Sequence, residues 1–340
     1  MTTPFKKNAT VRLMLCGGAA VNIGRTLFQP SSAVKKDDDL GFADIHITYV
    51  DTSRSNARDL PADSFYLIEG TEDDPIDGSA KVRRTNYAAI KQAAPDILHR
   101  HKPGDLNIII HSAAGGSGST IGPVVVSELL DRGEDTVVIM IGSSTCEKEI
   151  SNTIDTLMSY QGVSEKREKS IVAIYLENSK ENPMAINDGL VRLNTLLLAA
   201  VWSGENHGLD SKDLEHFLNY DKVSKHAPSL TGLQITSGGE ALDLAKGQVV
   251  SGVVTLIREG EDPTPEVMAA YHTFGTLSLG ASNAIKVKSP IHLHTVQGYF
   301  TDIVGTLRKR LAEVEEQYRV NPINRLSTKS IQLEDDGMAL

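Results

Sequence analysis

The sequence is short of cysteine, has no excess of positive charge and contains no long apolar run. Each shortage narrows what the chain can be. Two cysteines, Cys16 and Cys146, cannot build a disulfide framework, so a hydrophobic core must carry the fold and a reducing cytoplasm is expected. A formal net charge of −10 argues against a general nucleic-acid binder, whose surface is normally basic; a local basic patch stays open, and no direct sequence-specific nucleic-acid binding is expected. No apolar stretch approaches the ~20 residues of a membrane span, and the opening MTTPFKKN lacks the apolar centre of a signal peptide. No internal repeat is present. What remains is a chain of 340 residues, 40% hydrophobic and 23% charged, long enough for one large α/β unit or two domains.

The stretch that organises it is HSAAGGSGSTIGP, residues 111–123. An apolar run from Leu106 to Ile110 precedes it and reads as a buried strand; VVVSELL, residues 124–130, follows with helical spacing. Strand, glycine-rich loop and helix together offer a row of backbone N–H groups to an anion. Gly115, Gly116 and Gly118 permit close approach of the backbone, while Ser117, Ser119 and Thr120 bring hydroxyls. The matching ligand is a di- or triphosphate. No lysine follows the last glycine, so this is not a Walker loop. A second strand–glycine–helix unit runs from Val11 through Gly17, Gly18 and Gly24, and its spacing misses the G-x-G-x-x-G of dinucleotide-binding proteins. A nicotinamide-dependent oxidoreductase, the rival enzyme class, would need that fingerprint, with Asp51 on the ribose.

Further strands are expected over residues 43–50, 136–141 and 170–176, alternating with helices over 85–99 and 148–161. That alternation predicts a doubly wound parallel sheet whose ligand edge collects the loops at Asp51, Ser79, residues 111–123 and Glu147. Residues 31–41 read as a polar loop. Residues 68–84 lack any period, and Lys81, Arg83 and Arg84 at their end suit either a terminal phosphate or a solvated helix start.

The segment from Met184 to Trp202 is apolar on every face and predicts a helix buried between layers, about 28 Å long. It carries the chain away from the nucleotide edge to Asp210 and Asp213. Two readings fit that pair: a plain capping arrangement for the next helix, or two carboxylates presented for chemistry. Beyond lie strand-like residues 230–237, 249–258 and 285–296, with helices expected over 239–246 and 265–276. His292 and His294 share a strand face and, lacking a carboxylate or cysteine partner nearby, read as ordinary strand residues. A long helix from Tyr299 to Val320 follows, with Ile303, Leu307, Leu311, Val314 and Tyr318 on one stripe. The last residues carry Glu334, Asp335 and Asp336 among apolar side chains.

Taken together these motifs resemble the tubulin/FtsZ superfamily. Residues 113–123 follow its A-G-G-G-T-G-[ST]-G loop and the proline after it, with Ala114 and Thr120 replacing glycines. Residues 16–24 resemble its first glycine loop, with Asn22 at the guanine side, and Asn187 stands where the family reads guanine from its long helix. Residues 209–214 resemble the N-x-D-x-x-[DE] loop that supplies catalytic acids, with His207 and Gly208 where Asn would stand. Length and acidic tail are most similar to the phage-encoded members.

The resemblance implies an α/β fold of five parts: a GTPase domain over residues 1–183 and a central helix over 184–204, then a smaller α+β domain over 205–298, a helix over 299–322 and an acidic tail over 323–340. It implies a GTPase using GTP/GDP and Mg²⁺. Gly17, Gly18, Asn22, Asp51, Ser79, Ala114, Gly115, Gly116, Ser117, Gly118, Ser119, Glu147 and Asn187 would hold the nucleotide, and Asp210 and Asp213 would act as catalytic acids. The partner implied is the chain itself in a head-to-tail polymer, with the tail on a neighbour's basic surface at Arg308, Lys309 and Arg310. Such a polymer would position phage DNA in the cytoplasm of an infected bacterium. A GTP-binding scaffold that does not hydrolyse would keep the loops without needing the two acids.

Overall fold

A computed structural model of the protein describes residues 9–28, 44–70, 76–179, 184–202, 206–277 and 287–320. Six strands open the fold: β1 (Thr10–Cys16), β2 (Asp44–Asp51), β3 (Phe65–Leu67), β4 (Leu106–Ser112), β5 (Thr136–Ser143) and β6 (Ile171–Asn178). Five more follow: β7 (Asn206–His207), β8 (Leu230–Ser237), β9 (Val249–Ile257), β10 (Tyr271–Leu277) and β11 (Ile291–Gln297). All belong to one sheet in the order β3-β2-β1-β4-β5-β6-β8-β11-β9-β10-β7. The first six are parallel throughout, which aligns their carboxyl ends along one edge. β8 joins β6 in parallel at Ile171 and Leu230, and β11 then runs antiparallel to both β8 and β9.

The helices are α1 (Gly18–Leu27), α2 (Tyr87–Arg100), α3 (Ser117–Arg132), α4 (Glu147–Arg167), α5 (Met184–Trp202), α6 (Ser211–Leu218) and α7 (Tyr299–Val320). They cover both faces of the sheet, as the side-chain alternation of the strands requires. Leu13 and Leu15 of β1, Ile108 and Ile110 of β4, and Val137 and Ile139 of β5 share one core with α1, α5 and α6. Met14, Ile109, Val138 and Met140 point the other way, into a core with α2, α3, α4 and α7. Each such side chain contributes about 1.5–3 kcal/mol on burial. The expected α/β fold with a doubly wound parallel sheet is therefore the one observed.

Helix α5 has the expected bounds, and its last seven residues, from Leu196 to Trp202, are all buried. Helix α7 lies along α4, burying Phe300, Val304 and Leu307 in the second core, with Ile303, Leu311 and Val314 packed beside them. α4 extends to Arg167, one turn and more beyond the expected end.

Three expectations fail in the segment after α6. Residues 239–246 form no helix; Gly238, Gly239 and Gly247 have positive φ, and Leu242 and Leu244 pack irregularly beside Val250, Val253 and Val296. Residues 265–276 contain no helix either. Irregular chain leads into β10, where Tyr271, Thr273, Phe274 and Thr276 favour a strand and pairing with β9 supplies the ladder. The strand expected from residue 285 begins at Ile291, because Pro290 has no N–H to give a ladder. Residues 285–286, the loop at 31–41, the side chains of Ile186, His207 and Tyr318, and the tail over 323–340 lie outside the described residues.

Candidate functional site

Two glycine turns meet at the carboxyl edge of the sheet. Gly17 follows β1 with φ 83° and donates its N–H to the Val50 carbonyl at 2.8 Å. A Cβ on Gly17 would stand 2.6 Å from the Gly118 nitrogen, and one on Gly118 would stand 2.6 Å from the Cys16 carbonyl oxygen. Only glycine permits that approach, so the two turns are locked together by the absence of side chains.

Between them opens a cleft of about 590 Å³. Its floor is Gly17, Gly18 and Ala19 from the first turn with residues 114–118 from the second. Its walls come from Ser79 and Lys81, from Ser143, Thr145 and Glu149, and from Asn178, Ser179 and Met184. The loop is held from behind. Asn152, 1% exposed, donates its side-chain amide to the carbonyls of Lys81 and Ala114 at 3.0 Å and of Gly115 at 3.3 Å. With the carbonyls tied back, the loop N–H groups at the start of α3 remain for an anion. Ser117 bonds the Thr52 hydroxyl at 2.7 Å and donates to Ser79 at 3.1 Å, closing the side wall.

Of the expected nucleotide residues, Gly17, Gly18, Ser79, Ala114, Gly115, Gly116, Ser117 and Gly118 line this cleft. The others do not. Ser119 is fully buried and donates to the carbonyls of Gly115 and Gly116 at 2.6 and 2.9 Å, which supports the loop from below. Asp51 is 1% exposed and accepts from the Thr52 N–H and the Asn56 amide, with burial raising its carboxyl above the usual range. It acts on the cleft through Asn56, whose amide lies where a Gly18 side chain would be. Asn22 is exposed on α1 and accepts from Arg25. Glu147 is exposed at the start of α4, and the carboxylate in the cleft belongs to Glu149 instead. Asn187 is fully buried, donating to the Glu177 carbonyl at 3.0 Å and to Asn178 Oδ1 at 2.6 Å; Asn178 itself faces the cleft.

Electrostatically the cleft holds one close ion pair. Lys81 Nζ lies 2.6 Å from Glu149 Oε1, and Glu149 Oε2 accepts from the hydroxyls of Ser143 at 2.6 Å and Thr145 at 2.5 Å. Burial works against ionisation of Glu149, but Lys81 and the two hydroxyls prevail and hold its carboxyl down at about 2. Arg83 turns away from the cleft and donates to the Ser119 carbonyl and the Ser159 hydroxyl. Arg84 is exposed and lines a separate cavity with it, over α2, α3 and α4. Among the described residues no cluster of three or more His, Cys, Asp and Glu could hold a metal ion. His292 and His294 are buried in β11, bonded to Thr255 and Thr236.

Asp210 and Asp213 occupy the opposite edge. Met184, at the start of α5, lines the cleft, and the 19 residues of α5 carry the chain about 28 Å away. After α6, Asp221 accepts from Ser170, the residue before β6, which fixes this corner at the amino ends of the parallel strands. Asp210 caps α6 by accepting from the Lys212 and Asp213 N–H groups at 2.7 and 3.0 Å, and Asp213 Oδ2 accepts from the Asp210 N–H at 3.1 Å. The capping reading is thus realised in full, with both carboxylates at the helix start. No helix of the described residues is long and apolar enough to cross a membrane.

The chain matches no family model. It is 30% identical over 229 residues to the phage tubulin-like protein of Pseudomonas phage PhiPA3, covering 66% of each chain. It is 29% identical over 315 residues to the phage tubulin-like protein of Pseudomonas phage phiKZ, covering 90% of this chain and 89% of that one. Among solved structures it superposes on TubZ from bacteriophage PhiKZ, solved as a protofilament, with TM-score 0.76 and 24% identity over 97% of both chains. The GDP complex of the phage tubulin PhuZ matches with TM-score 0.77 and 20% identity over 97% of this chain and 99% of that one. A chain with this sheet, this pair of glycine turns and these relatives belongs to the tubulin/FtsZ superfamily and is most like its phage-encoded tubulins.

Proposed function

We propose that the protein binds GTP in the cleft between its two glycine turns, hydrolyses it to GDP and phosphate, and polymerises head to tail. One observation carries the reading: the cleft and the pair Asp210–Asp213 lie at opposite edges of one sheet, about the length of α5 apart. The acids cannot reach the nucleotide of their own subunit. Stacking one subunit's amino edge on the next one's carboxyl edge brings acids and nucleotide together, and such a contact repeats without closing, which makes a filament. The PhiKZ protofilament and the GDP-bound phage tubulin are the neighbours that support self-association and a guanine nucleotide.

In hydrolysis, backbone N–H groups of residues 115–118 hold the phosphates while a neighbour's Asp213, positioned by Asp210, orients a water in line with the γ-phosphorus. The carboxylate takes the water's proton as the new P–O bond forms, and the bond to the β–γ bridging oxygen breaks, leaving GDP and inorganic phosphate. Mg²⁺ fits a cleft lined by hydroxyls and one carboxylate, where it would be held by phosphate oxygens and water and would offset phosphate charge. Ser79 and Ser117, which line the cleft, would be the side chains to meet its hydration shell.

The acidic tail is proposed to dock on a neighbour's α7, where Arg308 and Lys309 are exposed and Arg310 Nε donates to the Ser144 carbonyl beside the cleft mouth. Positioning of phage DNA in the host cytoplasm is the role we propose for the polymer. Light scattering and phosphate release with GTP, GDP and ATP, across a range of protein concentrations, test the proposal. GTP-specific assembly with hydrolysis that rises more steeply than protein concentration is the expected result; equal response to ATP, or turnover strictly proportional to dilute protein, overturns it.

A further inference from the structure

We propose that Lys81 reads the terminal phosphate of the bound nucleotide, and that its ion pair with Glu149 is the position it leaves when a triphosphate arrives. The inference rests on the cleft being a GTP site.

The cleft must accept several negative charges, yet it presents a single cation. Among the described residues that line it, Lys81 is the one Lys or Arg and Glu149 the one carboxylate. Backbone N–H groups orient phosphates but carry no net charge, and no lysine follows the last glycine of residues 111–123. Mg²⁺ would offset part of that charge, and Lys81 is the lining side chain that can meet the rest, since Arg83 is committed to the back of α3.

The placement of Lys81 is built rather than incidental. Ala80 and Lys81 have φ of 47° and 62°, two consecutive residues with side chains in the left-handed region. Such backbone is unfavourable for residues with a Cβ and persists only where its surroundings hold it. Here they do so: Asn152 donates to the Lys81 carbonyl, the Val82 N–H to the Ser79 carbonyl at 2.7 Å, and Asn86 to the Gly78 carbonyl at 2.6 Å. Glycine at position 81 would relieve the backbone, so the side chain there has a use. The same Asn152 amide grips Ala114 and Gly115, which keys Lys81 to the phosphate loop. The Lys81 Cα lies 2.9 Å from where a Gly116 Cβ would be, so its four-carbon stem starts at the loop itself.

The two halves of the ion pair differ in freedom. Glu149 is 19% exposed and pinned by Ser143 and Thr145, whereas the Lys81 side chain is 53% exposed. The carboxylate stays and the ammonium can swing. With GDP, Lys81 keeps Glu149; with GTP, the γ-phosphate competes for it, because a phosphate offers three oxygens to a mobile point charge. The pair therefore sets the preference for triphosphate over diphosphate, and moving Lys81 pulls on residues 78–82.

The test is the ratio of Kd for GDP to Kd for GTP, read by displacement of a fluorescent guanine nucleotide from the full chain and its variants. Lys81→Met should weaken GTP about tenfold to a hundredfold, the worth of a charge-assisted contact, and leave GDP within about twofold. Lys81→Arg should keep part of the preference. Glu149→Gln, which releases Lys81, should tighten GTP more than GDP, and its thermal melt shows whether it folds. A Lys81→Met protein that binds both nucleotides with the original ratio overturns this inference while leaving the GTP site standing. Failure of the unmodified chain to bind either nucleotide overturns the GTP reading itself, and this inference with it.

Discussion

The Tyr271 hydroxyl donates to Asp213 Oδ1 at 2.7 Å, joining β10 to the first turn of α6. The other oxygen of Asp213 receives the Asp210 N–H, so the carboxylate is fixed at both ends. Burial and the neighbouring Asp213 together push the Tyr271 phenol up to about 12, so it stays protonated and a donor at neutral pH. Removing the acid and removing its tether should differ in size. Asp213→Ala should cut assembly-dependent phosphate release by about a hundredfold or more, the usual worth of a general base. Tyr271→Phe should cost several-fold, with GTP affinity and filament yield unchanged in both. Phosphate release from pelleted polymer decides it; Asp213→Ala filaments that hydrolyse at the original rate would remove the acid from the mechanism.

The contact of Gly17 with Gly118 makes the cleft intolerant of a single Cβ. Gly118→Val places a branched side chain against the Cys16 carbonyl, and Gly17→Ala adds both a clash and an unfavourable positive φ. Each should abolish nucleotide binding. Gly133→Ala is the control: its φ of 79° is also positive, but open space surrounds it, so it should lower the melting temperature and spare binding. Titration of a fluorescent guanine nucleotide against folded variants checks this. A folded Gly118→Val protein with normal affinity would show that the loop is not the cradle.

What could be read beforehand was what is local in the chain. Glycines after apolar strands, the all-round apolar helix ending at Trp202, and an Asp three residues before another Asp each declare themselves within one element. Asn152 did not, because its worth lies in carbonyls 37 to 71 positions away along the chain. Glu147 and Glu149 stand in one first turn and the sequence does not tell which faces the cleft; Ser143 and Thr145 hold the carboxylate of Glu149 there. β10 follows the same logic: residues 265–276 read as helical alone, and only β9 beside residues 271–276 makes the strand.

Guanine choice should depend on Asn187 acting through Asn178. Asn187 is fully buried, and its amide holds Asn178 Oδ1 at 2.6 Å at the cleft wall. Asn187→Ala removes that restraint and the donor to the Glu177 carbonyl, a loss of about 1–3 kcal/mol in stability. GTP affinity should fall about tenfold, and the preference over ATP should narrow, because the wall group no longer keeps one orientation. Competition between GTP and ATP on the unmodified chain and the variant measures both effects. Equal affinity of the unmodified chain for the two purines would end the guanine assignment.

Acid should loosen the fold before it touches the ion pairs, and His111 at the root of the phosphate loop is the main reason. The imidazole is fully buried between β4 and α4, its Nε2 bonded to the Tyr160 hydroxyl at 2.7 Å. Burial first, and the nearby Arg83 charge second, lower it from the ordinary 6.5 to about 4, against a hydrogen bond with the Ser112 carbonyl that works the other way. His294 is lowered to about 4 by burial and by His292 and His272. Below pH 6.5 the unfolded chain takes up protons that the folded chain refuses. Stability is therefore full above 6.5 and lost as pH falls toward 4, by about 3 kcal/mol for His111 if nothing relaxes. The carboxylates of Glu149 and Glu215, held at about 2, lose their contribution below 4.5, overlapping only the foot of that window. Asp51, Asp135 and Asp188, raised by burial, act in the opposite sense and blunt the slope from below. The melting temperature should consequently drop between pH 7 and pH 5, and His111→Gln, which keeps a polar partner for Tyr160 without a titrating ring, should melt lower at pH 7 but with a shallower slope. Calorimetry of both proteins at four or five pH values decides the matter: parallel slopes for the two would clear His111, and a flat profile for the unmodified chain would clear the buried histidines altogether.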